Sequence, residues 1–248
     1  MENTNNKITL QTLIIPLAII IAGAFIAFGI YMTGTSKAKL NEKVKMNKEE
    51  IVKSLNIPPV TSADHVLGDI KTAKVIVIEY SDLECPFCKT YHQTMEKIYD
   101  EYKSTGKVAW VFRHAPIIQL HSKAPKEAEA TECATELGGN TAFWKYLSEL
   151  FTNTPSNNAL AQDKLYEFAD TVGLDAKAFK ACLDGGKYAS KINEQTILSG
   201  KAGVSMFGTP YTVLVVDGKT IPLISDSGDG LGALPYAQMK SVLGEFLK

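Results

Sequence analysis

The sequence has no excess of either charge. Twenty-six Lys and Arg stand against 27 Asp and Glu, a formal net charge of −1. No basic stripe interleaves with aromatic residues, so there is no electrostatic footprint for nucleic acid. The scattered lysines read as solvated surface. Internal repeats and low-complexity blocks are also missing. Cysteine is scarce, with four residues, and so is histidine, with four. A zinc site needs four ligands. Cys85, Cys88, Cys133 and Cys182 could supply them in number, but after the first pair the gaps are 45 and 49 residues, which match no ribbon or finger. His65, His92, His114 and His121 form no paired motif, so no metal is expected.

Charge is missing altogether from residues 8–36. Their centre, Leu13 to Tyr31, is apolar on every face and long enough to span a bilayer, which needs about 20 apolar residues as helix. It also exceeds the roughly 7–15-residue apolar region of a cleavable signal peptide. The stretch 8–32 therefore reads as an uncleaved signal-anchor, with Pro16 tolerated near one end. Only Lys7 precedes it, whereas Lys37, Lys39, Lys43 and Lys45 follow. The positive-inside rule places that cluster, and the body behind it, in the cytoplasm.

What is present comes after a polar, lysine-rich tether at 33–62, with a short helix near Asn47–Leu55 stopped by Pro58 and Pro59. Val75–Tyr80 reads as a buried strand and Val108–Arg113 as another. Between them a helix from Pro86 to about Lys103 carries Tyr91, Met95, Ile98 and Tyr102 at helical spacing. Strand, helix and strand in about 40 residues make a βαβ unit with parallel strands. Helix signals then run without a strand to about 203, with Gly138-Gly139, Gly173 and Gly185-Gly186 at helix ends and Asp175 at a helix start. Strands return at Tyr211–Val216 and Lys219–Ile224. Asp217-Gly218 forms the hairpin turn between them, and Pro222 confines the second strand to an edge. A last helix starts near Pro235. The order is that of a thioredoxin-like α/β fold, domain 63–248, with a helical insertion at about 120–203.

Cys85 and Cys88 sit where the first strand gives way to the helix, in Ser81-Asp-Leu-Glu-Cys-Pro-Phe-Cys88. With Pro86 in the first turn, Cys85 meets the unpaired N–H groups and the positive end of the helix dipole, which stabilise a thiolate. Cys88, one turn on, can close a disulfide with it. Lowering the pKa of Cys85 stabilises the dithiol and makes the disulfide more oxidising. Glu84 opposes this and is expected in solvent, where it is screened. Glu79, facing inward on the strand, can exchange a proton with Cys88; otherwise it is a surface carboxylate. Cys133 and Cys182 read either as a structural disulfide, worth roughly 2–4 kcal/mol, or as two buried thiols. A bonded pair implies an oxidising compartment. Thr209-Pro210 precedes the third strand, either as loop punctuation or, in such a fold, as a cis proline facing the cysteines.

Taken together, Asp64–Gly68, Glu79–Cys88, Phe112-Arg-His114, the Ala-rich helix through Cys133 and Val204-x-x-x-Gly-Thr-Pro210 resemble the DsbA-like thiol:disulfide oxidoreductases, especially the membrane-anchored bacterial forms. The resemblance covers about residues 60–248. It implies Cys85 as the attacking, substrate-linked cysteine, Cys88 as the resolving one, and Pro210 as a cis proline. Thr209, Pro210, Pro86 and Phe87 would then line the substrate site. It implies no cofactor beyond the Cys85–Cys88 disulfide. Reduced exported proteins are the implied substrates, and a quinone-linked membrane reoxidase of DsbB or vitamin K epoxide reductase type is the implied partner. The Pro86-Phe87 dipeptide departs from the Pro-His of the best-known DsbA enzymes. The activity expected is a dithiol oxidase acting through a mixed disulfide at Cys85 resolved by Cys88. An isomerase or reductase is the alternative, and then a non-enzymatic binding or chaperone module. The chemistry, against the lysine flanks, leads to the expectation of a single-pass cell-membrane protein with its catalytic domain on the extracytoplasmic side.

Overall fold

The computed structural model describes residues 47–247. The chain divides into two units, 1–47 and 48–248, and the sheet with its helices belongs to the second. The first helix, α1 (Lys48–Ser54), turns Ile51 inward. Five strands follow: β1 (His65–Leu67), β2 (Val75–Ser81), β3 (Val108–His114), β4 (Tyr211–Val216) and β5 (Lys219–Pro222). Their order in the sheet is β1-β3-β2-β4-β5. β2 and β3 run parallel, as the intervening helix α2 (Pro86–Tyr102) requires, whereas β1, β4 and β5 pair antiparallel to their neighbours. Asp217 and Gly218 turn the β4–β5 hairpin with φ of 49° and 73°, the left-handed geometry of a two-residue turn.

Side chains alternate across the sheet. Val75 and Val77 of β2, with Trp110 and Phe112 of β3, face α2, where Tyr91, Met95 and Ile98 are wholly buried. Ile78 and Tyr80 face the other way, onto Val111, Val213, Tyr211 and Ile51. Glu79 and Ser81 share the face of Val75 and Val77, and that face leads to the cysteine pair. Fully burying a side chain such as Met95 contributes about 1.5–3 kcal/mol.

The helical insertion comprises α3 (Ala124–Asn153), α4 (Lys164–Thr171), α5 (Ala176–Asp184) and α6 (Ala189–Ser199). Gly139 breaks α3 with a non-helical φ of 69° and ψ of −166°. Asp175 caps α5 by accepting the N–H of Ala178 at 2.7 Å. Cys133 and Cys182 are bonded, joining α3 to α5. A wider turn at Gly200–Val204 and one helical turn at Ser205–Phe207 lead into β4, and α7 (Tyr236–Phe246) closes the fold.

The sheet edges are short. β5 carries Lys219 and ends at Pro222. At the opposite edge the Asn140 side chain takes the place of a neighbouring strand, accepting the Val66 N–H at 3.3 Å and donating to the Val66 carbonyl at 2.7 Å.

The expected single-pass placement in the cell membrane, with the catalytic domain on its extracytoplasmic side, is corrected here. Among the described residues no helix is long and apolar enough to cross a membrane. The longest, α3, carries Lys126, Glu127, Glu129, Glu132 and Glu136 along its length. The apolar stretch 8–32 that carried the expectation lies outside the described residues, as does the tether up to residue 46. The remainder of the expected tether lies against the fold: Asn56 N–H reaches the Lys201 carbonyl at 3.0 Å, and Arg113 donates to the carbonyls of Pro58 and Pro59, both at 2.9 Å.

Candidate active site

β2 ends at Ser81, and four residues later Cys85 caps α2 in extended geometry, with Pro86 in the first turn. The missing N–H of proline has no intrahelical partner to lose there. Asp82 shapes the turn between strand and helix: its carbonyl accepts the Cys85 N–H at 3.1 Å and its Oδ1 accepts the Glu84 N–H at 2.9 Å. Its own N–H points at Cys88 Sγ, 3.4 Å away. Both cysteines are free thiols in this structure and both are buried, Cys88 completely. Phe87, between them, is 66% exposed.

The Cys85 thiol is pulled down to about 6. The Cys88 thiol that donates to it is the largest cause; burial opposes, and the N–H groups of Cys88 and Phe87 and the side chain of Thr209 add to the pull. Those N–H groups are the unpaired donors of a helix start. Burial, and then the neighbouring Cys85 sulfur, push Cys88 far up. One sulfur is thus primed to ionise and the other to hold its proton. Across from Cys85, the Thr209 carbonyl lies 3.5 Å from its Sγ, and the Thr209–Pro210 bond is cis. The Thr209 hydroxyl is buried without a hydrogen-bond partner.

Glu79, on the same face of β2 as Val75 and Val77, is fully buried. Burial raises its carboxyl from 4.5 to about 8, partly offset by the Ser81 hydroxyl and the Trp110 indole. Trp110 Nε1 donates to Glu79 Oε2 at 3.0 Å, while Oε1 has no partner. The Ser81 hydroxyl lowers both Glu79 and Cys88. Sequence reasoning passes over Ser81, Asp82 and Trp110. The first shares the strand face of Glu79, and Trp110 lies opposite Val77 on the same face of the neighbouring strand, so alternation alone can find both. Glu84 is a correction: expected in solvent, it is wholly buried under a loop of the helical insertion.

Among the described residues His65, His114 and Glu132 bring metal-ligand atoms within 4.8 Å of one another. Those atoms are already in use. Glu132 Oε1 meets His65 Nε2 at 3.0 Å and its Oε2 accepts from the Lys191 ammonium at 2.7 Å. Thr131 Oγ1 sits 2.8 Å from His114 Nε2. Burial pushes Glu132 up, but His65, His114 and Lys191 outweigh it and hold the carboxyl at about 2. Burial keeps His114 neutral, at about 3. The Lys191 ammonium supplies the positive charge that a metal would bring.

The profile of the family described as thioredoxin matches residues 61–228. Among curated proteins, the Na(+)/H(+) antiporter NhaA 3 of Salinispora tropica is 31% identical over 165 residues, 66% of this chain and 24% of the antiporter. The Na(+)/H(+) antiporter NhaA of Herminiimonas arsenicoxydans is 33% identical over 130 residues, 51% of this chain and 19% of that protein. The chain thus spans a quarter or less of these relatives. Among solved structures, BdbD from Bacillus subtilis superposes with a TM-score of 0.62 at 21% identity, covering 78% of this chain and 98% of its own. Wolbachia pipientis alpha-DsbA1 gives 0.60 at 24%, with 79% and 95% covered. Pseudomonas aeruginosa DsbA2 gives 0.57 at 24%, with 75% and 96% covered. At these identities the structures speak for a shared fold.

Proposed function

The chain belongs to the thioredoxin family, and from that premise we propose that it is a DsbA-like thiol:disulfide oxidoreductase working as a dithiol oxidase of reduced exported proteins. The observation that carries this reading is the Cys85 sulfur. It lies at the start of α2, is held toward the thiolate by Cys88, and faces the Thr209 carbonyl beside cis Pro210. The redox group is the cysteine pair itself, so no external cofactor enters the scheme.

In the oxidised enzyme a substrate thiolate attacks Cys85 Sγ. The Cys85–Cys88 bond breaks, a mixed disulfide forms at Cys85, and Cys88 leaves with the electron pair. Cys88 then takes a proton, a step we assign to Glu79, whose buried carboxyl stands near 8. Electron balance corrects one step of the sequence reading. Attack by Cys88 on the mixed disulfide regenerates the enzyme disulfide and releases the substrate still reduced. Net oxidation is completed by the substrate's second thiolate, which expels Cys85 as a good leaving group. The backbone of Thr209, with Pro210, Pro86 and Phe87, receives the extended substrate chain. Two electrons then reside on the enzyme dithiol, and a quinone-linked reoxidase of DsbB or vitamin K epoxide reductase type removes them.

Two measurements test this. Cys88→Ser, given a disulfide-bearing polypeptide, is expected to accumulate mixed disulfides at Cys85, whereas Cys85→Ser should form none and oxidise nothing. Wild-type oxidation by both variants would end the proposal. Equilibration with glutathione separates oxidase from reductase: a potential near about −270 mV, that of thioredoxin, would favour reduction.

A further inference from the structure

Two acidic side chains between β2 and the nucleophile are wholly buried, and the proposed thiol exchange uses neither. Asp82 Oδ2 accepts the Ile117 N–H at 2.7 Å and meets His121 Nδ1 at 2.9 Å. Glu84 reaches the other way: its Oε2 accepts the Asn158 N–H at 2.5 Å and its carbonyl accepts the Asn157 N–H at 2.8 Å. Asn158 then donates from Nδ2 to the Leu120 carbonyl at 2.8 Å and accepts the Lys123 N–H at 3.1 Å. Both carboxyl groups therefore hold the same loop, 117–123, one directly and one through Asn158. That loop displays Ile118 and Leu120, 45% and 65% exposed. Phe87 and Met206, the latter just ahead of Thr209-Pro210, are likewise large apolar side chains open to solvent.

The far side of Glu84 meets another carboxyl. Glu84 Oε1 and both oxygens of Glu127, in the first turn of α3, are buried without a hydrogen-bond donor. The nearby Lys123 ammonium is spent on the Leu160 carbonyl at 2.6 Å. Two carboxylates in such a space cannot both ionise. Burial, then Glu84, then the charge of Asp82 all push Glu127 up, and Lys123 opposes.

We infer that Glu127 keeps a buried proton and shares it with Glu84 as a hydrogen bond, and that this pair, with Asp82, positions the 117–123 loop beside the turn that leads to Cys85 and so selects polypeptides with an apolar side chain beside the reacting cysteine. The selection half rests on the oxidoreductase reading. Without Glu127 as donor, the Glu84 carboxyl keeps a single N–H partner in a buried space. The stable alternative is to turn toward water, taking Asn158 and the loop with it.

The test compares Glu127→Gln, whose amide can donate in place of the shared proton, with Glu127→Leu, which cannot. For a reduced, unfolded polypeptide with leucine beside its cysteine, Glu127→Leu should raise KM about tenfold with kcat within about twofold, and Glu127→Gln should stay within about twofold of the parent on both. In the infrared, one of the carboxylic-acid C=O stretches present at neutral pH should vanish in Glu127→Gln, while the Glu79 stretch, identified by its loss in Glu79→Gln, remains; this readout stands even where Glu127→Leu fails to fold. An unmoved KM in Glu127→Leu, a Gln variant as impaired as the Leu one, or an unchanged infrared band would overturn the inference. A parent protein that oxidises no polypeptide sinks the oxidoreductase reading and the selection half together, while loss of the band still upholds the shared proton.

Discussion

Glu79 and Glu84 are five residues apart, acidic and buried, yet they differ in how their burial is brought about. Glu79 lies on β2, where alternation between Ile78 and Tyr80 turns it to the face of α2. That inward position was legible in the sequence. Glu84 follows a turn, where no period operates, and it is covered by residues 156–158, more than seventy positions away; nothing local could reveal it. The burial of Glu79 also sets a pH dependence. Its carboxyl rises from 4.5 to about 8, so between those values the folded protein binds a proton that the unfolded chain releases. Stability must therefore fall as pH climbs through that window. Glu79→Gln removes the cost. The variant is expected to gain on the order of 3 kcal/mol over the parent near pH 7 and almost nothing near pH 4, as read from urea unfolding of the reduced proteins.

Between elements, long periodic segments and glycine breaks were readable, and a three-residue strand was not. The βαβ unit, the hairpin at Asp217-Gly218 and the cap at Asp175 match their expected places. β1 escaped, because three residues carry no period and its pairing with β3 is set by partners over forty positions on. Gly138-Gly139 read as a helix end, and the first run of α3 does end there: Gly139 leaves helical geometry with a φ of 69°, and a second helical run carries Phe143, Trp144 and Leu147 into the core. The Cys133–Cys182 bond then fastens α3 to α5. Sequence left it open between a bond and two thiols, because neither cysteine shows its partner locally. Replacing both by alanine should cost roughly 2–4 kcal/mol of stability, by denaturant midpoint and slope, chiefly by freeing the unfolded chain. Loss of less than about 1 kcal/mol would mean that packing of Phe179 and Leu183 against α3 suffices without the bond.

At the scale of the whole molecule the redox centre and the fold share one free energy. The Cys85 thiol falls from 9.0 to about 6 on folding, so across that window the folded dithiol protein binds fewer protons than its unfolded chain. This contribution is complete above 9 and lost as pH falls through 6. The disulfide form has no such group. The stability of the reduced protein relative to the oxidised one should therefore grow as pH rises from about 6 toward 9, measured by parallel urea titrations of the two forms. A constant difference across that range would mean that Cys85 is not ionised in the fold.

The guarded rims of the sheet acquire a meaning from this. If the protein acts on unfolded chains, as proposed, it works among the partners most apt to add themselves to any open strand, and a long bare margin would template fibrous growth with them. Here one margin ends in Pro222 behind Lys219, and the other is occupied by the amide of Asn140. Under the proposed function, extended chains are thereby kept from the rims and left the Thr209 carbonyl, main chain that lies 3.5 Å from the Cys85 sulfur.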